Sequence, residues 1–445
     1  MLIRTEESVT EHVACTACAC VCDDLRITVA DGRIAGLSTD CPHAVAWFAS
    51  HEPSAEPAAV VRDRPVSVTE AVQAAAEILR KARAPLIYGL SRSSTDGQRA
   101  AVALADFLGA TIDTTASEGH APSILALQQS GESTCSLGEV KNRADLVIYW
   151  GSDPVVSHPR HLERYSLEPK GELIPNGRAD RTLVVVDVAR TATAELADVF
   201  IQVKPGRDFA ALWTLRGLLQ GIEPAPGTET GVPLETLRDL AERMKTCRSG
   251  VIFFGYGVAR QPLGHRNVEA LLRLVIDLNA FTRFYARRMR VLGDVSGADN
   301  VLCWQTGYPF SVNLARGYPR YNPGEFSAGD LLAHGETDAV LFVGTDRIDT
   351  FPLAARERLT QIPTIVLERA NCELPVTPTV RVTTAVYGIH LPGTAYRMDE
   401  VPIPLRTTLP QQAPSDGDIL RAILAELQGE KSETPSSKHQ ISSSR

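Results

Sequence analysis

The sequence predicts an α/β protein with two parallel β-sheets behind a small N-terminal unit that carries cysteines. Short apolar runs without alternation are typical of strands buried on both faces of a parallel sheet, and segments with helical periodicity separate them. Six or more strands spread over roughly 300 residues exceed one ordinary Rossmann-like unit, so we expect two such units. The apolar runs begin at Pro85, Ala144, Thr182, Val251, Ala339 and Thr364.

Length and composition indicate a globular protein and exclude several classes of function. The chain has 445 residues, enough for two or three domains at roughly 150 residues each. Apolar residues make up 44% and charged residues 22%, and the net charge of -8 argues against nucleic-acid binding. No uninterrupted apolar run reaches about 18 residues, so no membrane span is expected. The N-terminal residues lack the apolar core of a signal peptide, so we expect a cytoplasmic protein.

Changes in composition along the chain indicate separate structural units. A proline-rich linker follows the N-terminal unit, and Ser67 with Glu70 then predicts the capping box of a helix. Residues 429–445 contain too few apolar residues to pack, so they are predicted to form a mobile tail. The other predicted units are residues 1–58, an α/β unit made of 59–112 and 280–400, a second α/β unit of 113–279 inserted into it, and a C-terminal extension of 401–428.

Cysteines provide the sharpest local signal. Cys15, Cys18 and Cys22 are separated by two and three residues, and Cys41 follows after two short predicted strands. Three thiolates on one short loop and a fourth from a neighbouring segment are typical ligands of a 4Fe-4S cluster in a reducing compartment. A zinc ribbon normally has two Cys-x-x-Cys pairs and this unit has one; a zinc site and a loop that binds nothing are the alternatives. Cys20 is expected to point away from the cluster.

Glycine and aspartate residues follow several predicted strands, at the edge where open α/β sheets bind ligands. Gly151 and Asp153 begin the loop after the run ADLVIYW. Asp187 ends the run TLVVVD, and Asp208 lies in the turn KPGRD. Glycine allows a close approach of the backbone to a phosphate, and a carboxylate accepts hydrogen bonds from a ribose or a guanine. Each loop alone is a weak indication, because every parallel sheet needs such turns.

Taken together, these motifs resemble the bis-molybdopterin guanine dinucleotide enzymes, the superfamily of formate dehydrogenase and DMSO reductase. The resemblance rests on the cysteine loop, on the Asp-Pro-x-x-x-His-Pro loop from Asp153, and on the segments VDVARTATAELADVFIQV and KPGRD. Within the superfamily, the segments that begin at His120 and Asn300 resemble the B subunit of formylmethanofuran dehydrogenase. Its bacterial counterpart is the B subunit of the formyltransferase/hydrolase complex. The similarity extends from Cys15 to about Tyr396.

This resemblance implies a fold, cofactors and site residues. The implied fold is that of the molybdopterin oxidoreductases without their C-terminal barrel domain. The implied cofactors are the 4Fe-4S cluster and a molybdopterin guanine dinucleotide that carries molybdenum or tungsten. The implied cluster ligands are Cys15, Cys18, Cys22 and Cys41, and the implied guanosine or pyrophosphate contacts are Gly151, Asp153, His158, Asp187 and Asp208.

The sequence departs from the family at the position that binds the metal. The family has cysteine or selenocysteine there, whereas this chain has Gly119, which has no side chain to ligate a soft metal. The family's active-site histidine and arginine correspond to His120 and Arg290, with a structural buried imidazole as the alternative for His120. Pro42 and His43 stand where the superfamily often has a basic residue between cluster and pterin. We therefore expect no redox turnover by this chain.

The resemblance thus implies a subunit of the formyltransferase/hydrolase complex in tetrahydromethanopterin-linked one-carbon metabolism. Such a complex transfers a formyl group from the pterin carrier to a methanofuran-type amine and hydrolyses it to formate. The implied partners are the formyltransferase, the zinc formyl hydrolase and a small accessory subunit, and this chain is expected to be a scaffold. The alternatives are an active molybdenum or tungsten formylmethanofuran dehydrogenase subunit with a non-cysteine ligand, and an iron-sulfur protein for electron transfer or sensing.

Overall fold

The computed structural model describes residues 7–51 and 53–429, which form an α/β fold with sheets of three, five, nine and two strands. The predicted mobile tail lies outside the described residues, except for Gly429. The strands are β1 Glu7–Cys15, β2 Cys22–Ala30, β3 Arg33–Leu37, β4 Ala59–Val61, β5 Arg64–Pro65, β6 Pro85–Gly89, β7 Thr111–Thr114, β8 Leu146–Trp150, β9 Thr182–Asp187, β10 Val199–Gln202, β11 Ser249–Phe254, β12 Arg283–Arg288, β13 Val312–Asn313, β14 Arg320–Tyr321, β15 Ala339–Val343, β16 Thr364–Glu368, β17 Val380–Thr383, β18 Gly393–Tyr396 and β19 Pro402–Leu405.

Helices surround the two larger sheets. Across residues 7–51 and 53–429, no helix has the length and the apolar composition needed to cross a membrane. The helices are α1 Pro42–Ala49, α2 Val68–Lys81, α3 Thr95–Leu108, α4 Ala121–Ser130, α5 Leu137–Arg143, α6 Pro154–Ser157, α7 Asp208–Leu219, α8 Leu234–Thr246, α9 Tyr256–Ala259, α10 Gly264–Leu278, α11 Val295–Thr306, α12 Ala328–Ala333, α13 Leu353–Leu359 and α14 Asp416–Gln428.

The five-stranded sheet is entirely parallel and has the strand order β10-β9-β8-β11-β12. The predicted apolar runs from Ala144, Thr182 and Val251 form β8, β9 and β11, as their buried side chains require. The chain leaves β8 toward β9 and β10 on one side, and then returns to β11 and β12 on the other. The switch point therefore lies between β8 and β11, and ligands of such sheets bind beyond the carboxyl ends of these strands.

The nine-stranded sheet has the order β14-β13-β7-β6-β15-β16-β17-β4-β5. Its five central strands, from β7 to β17 in that order, run parallel, and antiparallel strands flank them on both sides. The apolar runs from Pro85, Ala339 and Thr364 form β6, β15 and β16, which confirms them as buried parallel strands. The switch point of this sheet lies between β6 and β15.

Strand β12 begins just after residue 279, the predicted end of the inserted α/β unit. β12 falls in the range 280–400 that the sequence analysis assigns to the first unit, yet it pairs in parallel with β11 of the five-stranded sheet. Strand β12 therefore belongs to the five-stranded sheet, whereas the predicted insertion ends at residue 279. The strand has the sequence RFYARR, so it lacks the continuous apolar run that predicts the other buried strands. Arg287 and Arg288 are nevertheless buried, because polar partners elsewhere in the chain accept their hydrogen bonds.

On one face of each larger sheet, an apolar core holds long helices against the strands. The core of the five-stranded sheet includes side chains from α7, α8 and α10, and that of the nine-stranded sheet includes α2, α3, α11 and α14. The C-terminal extension is part of the second core, since α14 contributes Ile419, Leu420 and Ile423 to it. The predicted capping box begins α2, where the Glu70 amide donates to Ser67 Oγ at 3.2 Å.

Asp294 joins three elements beside the nine-stranded sheet. Its buried carboxylate accepts hydrogen bonds from Gln98 Nε2 on α3 at 2.8 Å and from the Tyr396 amide on β18 at 2.5 Å. It also accepts from the Gly297 amide in the first turn of α11 at 3.2 Å. Burial raises the pKa of Asp294 to about 8, from an ordinary value of 3.8. The folded protein therefore keeps a proton here at pH values where the unfolded chain has lost it.

Asp294 should make the folded state less stable as the pH rises from about 4 to about 8. In this range the folded state binds more protons than the unfolded state, so the free energy of unfolding falls by at most about 1.4 kcal/mol per pH unit from this group. Asp294→Asn should reduce that slope, because an amide does not titrate. Urea unfolding at several pH values measures it, with the exposed Asp40→Asn as control. Equal slopes in the wild type and Asp294→Asn would contradict this assignment.

Candidate functional site

The cysteine loop connects β1 to β2, and Cys15 lies opposite Cys22 in the register of these two strands. Cys41 immediately precedes α1, which has Pro42 in its first turn. Burial raises the pKa of the Cys15 thiol, and the nearby thiols of Cys18, Cys22 and Cys41 raise it further. The fold thus brings the four predicted cluster ligands within electrostatic range of one another.

These thiols are of the residue type that binds the iron of a 4Fe-4S cluster. In the part of the chain that the structure describes, no group of three or more histidine, cysteine or acidic side chains is arranged to hold a metal ion. In a cubane each thiolate binds a different iron, so the four sulfur atoms stand further apart than the ligands of one ion. Four buried or half-buried thiols, three around one loop and the fourth from the start of α1, fit the ligand chemistry of a 4Fe-4S cluster. The cluster itself stays a prediction.

The surroundings of Cys22 contain residues that the sequence analysis missed. Cys20 was expected to point away from the other thiols, and this is wrong: it is 1% exposed and its thiol hydrogen-bonds to Cys18 and Cys22. This hydrogen bond, together with the guanidinium groups of Arg164 and Arg160, lowers the pKa of Cys22 to about 7. The two arginines follow β8, more than a hundred residues further along the chain, and no local pattern connects them with the cysteines.

Gly151, a predicted contact of the dinucleotide, meets the backbone of another loop. It follows β8 with a φ of +57°, and a Cβ at this position would lie 2.9 Å from the Val258 amide nitrogen. The Gly257 amide donates to the Gly151 carbonyl at 3.0 Å. A Cβ on Gly257 would in turn lie 2.7 Å from Gly151 Cα. The two loops at the switch point therefore pack backbone against backbone, which requires glycine on both.

Asp153 and His158, two further predicted dinucleotide contacts, have partners inside the protein. Asp153 accepts hydrogen bonds from the Thr193 amide at 3.0 Å and from its hydroxyl at 2.5 Å. His158 Nε2 donates to the Arg290 carbonyl at 2.7 Å, and its Nδ1 lies 2.8 Å from Ser157 Oγ. Burial lowers the pKa of His158 to about 4, so the imidazole is neutral at pH 7. Both side chains orient the loop after β8.

The predicted acids Asp187 and Asp208 lie near Asp153 and differ in their surroundings. Burial raises the pKa of Asp187, and the carboxylates of Asp208 and Asp153 raise it further, which places the three acids close together. Asp208 is 2% exposed and accepts hydrogen bonds from Trp150 Nε1 and Gln261 Nε2, both at 2.8 Å. Asp187 is half-buried at the carboxyl end of β9. It is the best placed of the three to accept a hydrogen bond from a ribose, and that role stays a prediction.

The predicted catalytic residues His120 and Arg290 lie in one buried region. His120 immediately precedes α4 and is 4% exposed, and Arg290 is 2% exposed and forms an ion pair with Asp299. Burial lowers the pKa of His120, and the guanidinium of Arg290 lowers it further. His120 Nε2 forms a hydrogen bond with Tyr256 Oη at 3.3 Å. Tyr256, which the sequence alone did not indicate, begins α9 just after β11.

Gly119 has no donor atom for a metal, and the ring of Tyr256 lies against it. Besides burial, the guanidiniums of Arg290 and Arg347 lower the pKa of the neighbouring His120, and a guanidinium has no acceptor atom that could ligate a metal. The residues around position 119 therefore do not fit a molybdenum or tungsten site that takes its protein ligand from this position.

Arg92, which the sequence alone did not indicate, lies at the switch point of the nine-stranded sheet. It follows β6, pairs with Asp346 beyond β15 at 3.2 Å, and donates to the Thr16 carbonyl of the cysteine loop at 2.8 Å. Its guanidinium carbon lies 4.7 Å from the centre of the Trp47 ring on α1. Arg92 therefore ties the nine-stranded sheet to the cysteine-bearing unit.

Gly257→Ala should destabilise the protein by about 1–3 kcal/mol, as overpacking of a closed interior does. The added Cβ meets the Gly151 backbone at 2.7 Å, and a backbone cannot rotate away as a side chain can. Gly138→Ala on α5 is the control, since the nearest atom would lie at an ordinary 3.5 Å. It should be neutral or stabilising by up to about 1 kcal/mol, because alanine favours the helix. Urea unfolding measures both; a Gly257→Ala protein as stable as the wild type would argue against the tight contact.

The chain is similar to several proteins of known type. It is 40% identical over 427 residues to the B subunit of tungsten-containing formylmethanofuran dehydrogenase 2 from Methanocaldococcus jannaschii, which covers 94% of this chain and 98% of that protein. The protein of the same description from Methanococcus maripaludis is 36% identical over 423 residues, covering 93% and 98%. The B subunit of the formyltransferase/hydrolase complex Fhc from Methylorubrum extorquens is 26% identical over 288 residues, covering 65% and 75%. No family model matches the chain.

Two solved structures share the fold. A chain of the formyltransferase/hydrolase complex FhcABCD from Methylorubrum extorquens, in complex with methylofuran, superposes with a TM-score of 0.69 at 24% identity. The superposition covers 84% of this chain and 99% of that chain. Acetylene hydratase from Pelobacter acetylenicus gives a TM-score of 0.65 at 13% identity, covering 94% and 69%. With relatives at 36% and 40% identity over nearly their whole length, this chain belongs to the family of formylmethanofuran dehydrogenase B subunits.

Proposed function

We propose that this chain is the B subunit of a formyltransferase/hydrolase complex and acts there as a scaffold without redox activity of its own. The observation that carries the proposal is Gly119, where the family would place the ligand of its metal. The neighbouring pair His120 and Arg290 is present, but Tyr256 and Asp299 already bind these side chains. A site that keeps these neighbouring polar residues but lacks the metal ligand cannot hold the metal in the family's way.

The remaining cofactor sites are proposed residue by residue. Cys15, Cys18, Cys22 and Cys41 would hold a 4Fe-4S cluster, supported by their proximity and burial. Asp187 would accept a hydrogen bond from the ribose of a guanine dinucleotide, supported by its place at the end of a parallel strand. A bound cluster would supply one-electron transfer. In the scaffold proposed here the cysteine loop has a structural role, since it connects β1 and β2 and binds Arg92 through the Thr16 carbonyl.

The proposed partners carry out the chemistry of the complex. A formyltransferase subunit moves the formyl group from the nitrogen of a tetrahydromethanopterin carrier to the amine of a methanofuran-type carrier. A zinc hydrolase subunit then cleaves the new C–N bond with water and releases formate and the amine. The formyl carbon keeps its oxidation state in both steps, so neither step needs a redox centre in this chain. The methylofuran bound in the complex from Methylorubrum extorquens supports this substrate class.

An active dehydrogenase subunit is the second candidate. The relatives at 40% and 36% identity are tungsten-containing formylmethanofuran dehydrogenase subunits, whereas the Fhc relative is 26% identical over a shorter region. In that case an atom outside position 119 would have to ligate the metal. The two candidates differ in metal content and in redox activity.

The complex purified without oxygen should contain no stoichiometric tungsten or molybdenum and should not reduce viologen dyes with a formylmethanofuran-type substrate. The expected result follows from the missing ligand at Gly119. Elemental analysis and a dye-reduction assay measure it, with the Methanocaldococcus jannaschii enzyme as positive control. Formyl transfer and hydrolysis to formate should remain measurable in the same preparation. Stoichiometric tungsten together with dye reduction would favour the active dehydrogenase.

Reconstitution with iron and sulfide should load about four irons per chain, and Cys41→Ser should reduce this content, because a cubane needs its fourth thiolate. Iron and sulfide analysis with visible spectroscopy of the full complex measures it. Cys135→Ser is the matched control, since Cys135 lies outside the four-cysteine set and should leave the iron content unchanged. A complex that takes up no iron, or an iron content insensitive to Cys41→Ser, would contradict the cluster.

A further inference from the structure

Gly119 is packed against Tyr256 too closely for any side chain to fit at position 119. A Cβ on Gly119 would lie 2.5 Å from Tyr256 Oη, 2.8 Å from its Cε1 and 2.9 Å from its Cζ. The φ of Gly119 lies outside the left-handed region, so the backbone conformation does not require glycine. The contact with the tyrosine ring is therefore the reason that this position needs glycine.

The ring of Tyr256 is held from several directions. The guanidinium of Arg260 lies 4.2 Å from the ring centre and that of Arg347 lies 5.5 Å from it, and both distances allow cation–π attraction. Arg260 also donates to the Glu118 carbonyl at 2.9 Å, one residue before the glycine. Tyr256 Oη hydrogen-bonds to His120 Nε2, one residue after it. The ring cannot turn away without losing these contacts.

The backbone that carries Tyr256 is fixed as well. Gly255 and Gly257 flank the tyrosine, and both pack against the loop after β8. A Cβ on Gly255 would lie 2.9 Å from the Gly151 carbonyl oxygen, and the Gly257 amide donates to that same oxygen at 3.0 Å. The turn therefore cannot retreat to make room for a side chain at position 119.

We propose that Tyr256 occupies the space into which a metal-binding side chain at position 119 would extend, and closes the pocket beside His120. The two positions are then sterically coupled, because a cysteine introduced at position 119 alone would overlap with the ring of Tyr256. Tyr256 is a positioning residue, since it hydrogen-bonds to His120 and fills the space beside Gly119. The role of this contact in excluding a metal ligand rests on the proposed scaffold function. The steric contact between Gly119 and Tyr256 is tested on its own.

A double-mutant cycle in the assembled complex tests the pair. Gly119→Ala and Gly119→Cys are made alone and together with Tyr256→Ala, and the midpoint of thermal unfolding is measured for each. Alone, each glycine substitution should lower the midpoint by about 1–3 °C, as overpacking does in a chain of this size. In the Tyr256→Ala background the same substitutions should cause little or no further fall, because the methyl or thiol enters vacated space.

Labelling of the introduced thiol gives a second readout. Iodoacetamide modification of Gly119→Cys, followed by mass spectrometry of the peptide, should proceed at least about tenfold faster when Tyr256→Ala is also present. Tyr256→Phe is the conservative control, because it keeps Cε1 and Cζ in place, and Gly119→Ala should still lower the midpoint in that background. Tyr318→Ala removes an exposed tyrosine and should show no coupling with Gly119→Ala.

Additive effects of Gly119→Ala and Tyr256→Ala would overturn the proposal. A fall in bound tungsten in Tyr256→Phe, with an unchanged midpoint, would also overturn it, since the phenol oxygen would then be a metal ligand. Failure of the proposed function is recognisable separately. A tungsten-containing, dye-reducing complex contradicts the scaffold while leaving the coupling intact, and an additive cycle in a metal-free, formyl-transferring complex contradicts this inference alone.

Discussion

The backbone contact between Gly151 and Gly257 is the constraint on which the rest of the candidate site depends. The strands β8 and β11 lie side by side at the switch point, so the loops that leave them meet at the same edge. Without side chains on either glycine, one amide donates to the other carbonyl at 3.0 Å. This contact places Tyr256 against position 119, and it fixes the start of the loop that carries Asp153. A larger residue at either glycine would separate the two loops.

Arginines connect parts of the chain that lie far apart in sequence. Arg92 joins the nine-stranded sheet to the cysteine loop, and the ion pair of Arg288 with Glu132 at 2.8 Å ties β12 to the segment after α4. Arg290 pairs with Asp299, while its carbonyl accepts a hydrogen bond from His158. A buried charge without a partner is costly, so each pair specifies one arrangement of the segments that it joins. The ion pair of Arg288 and the hydrogen bonds of Arg287 to the Thr134 hydroxyl and the Met398 carbonyl allow two arginines of β12 to be buried.

The candidate site has the histidine and the arginine expected from the family, His120 and Arg290, but a glycine at position 119. Its four cysteines lie within electrostatic range of one another, and its buried His120 lies in the field of the buried Arg290. At position 119 there is a glycine with the ring of Tyr256 against it, and the hydroxyl of this tyrosine hydrogen-bonds to His120. In the proposed scaffold, the partner subunits would carry out formyl transfer and hydrolysis, which need no electron transfer, so this chain would need no redox centre of its own. One fold can host different chemistry in this way.

The sequence by itself determined the buried strands, the cysteine set and the family. A continuous apolar run such as Thr364–Glu368 has no polar face to expose, so its burial follows from local composition. Only the tertiary structure decided that Arg283–Arg288 is a strand of the five-stranded sheet and that Tyr256 lies against Gly119. The burial of an arginine depends on a partner elsewhere in the chain, and the fit of a ring depends on the shape of a distant loop. Neither property is encoded in the residues next to them.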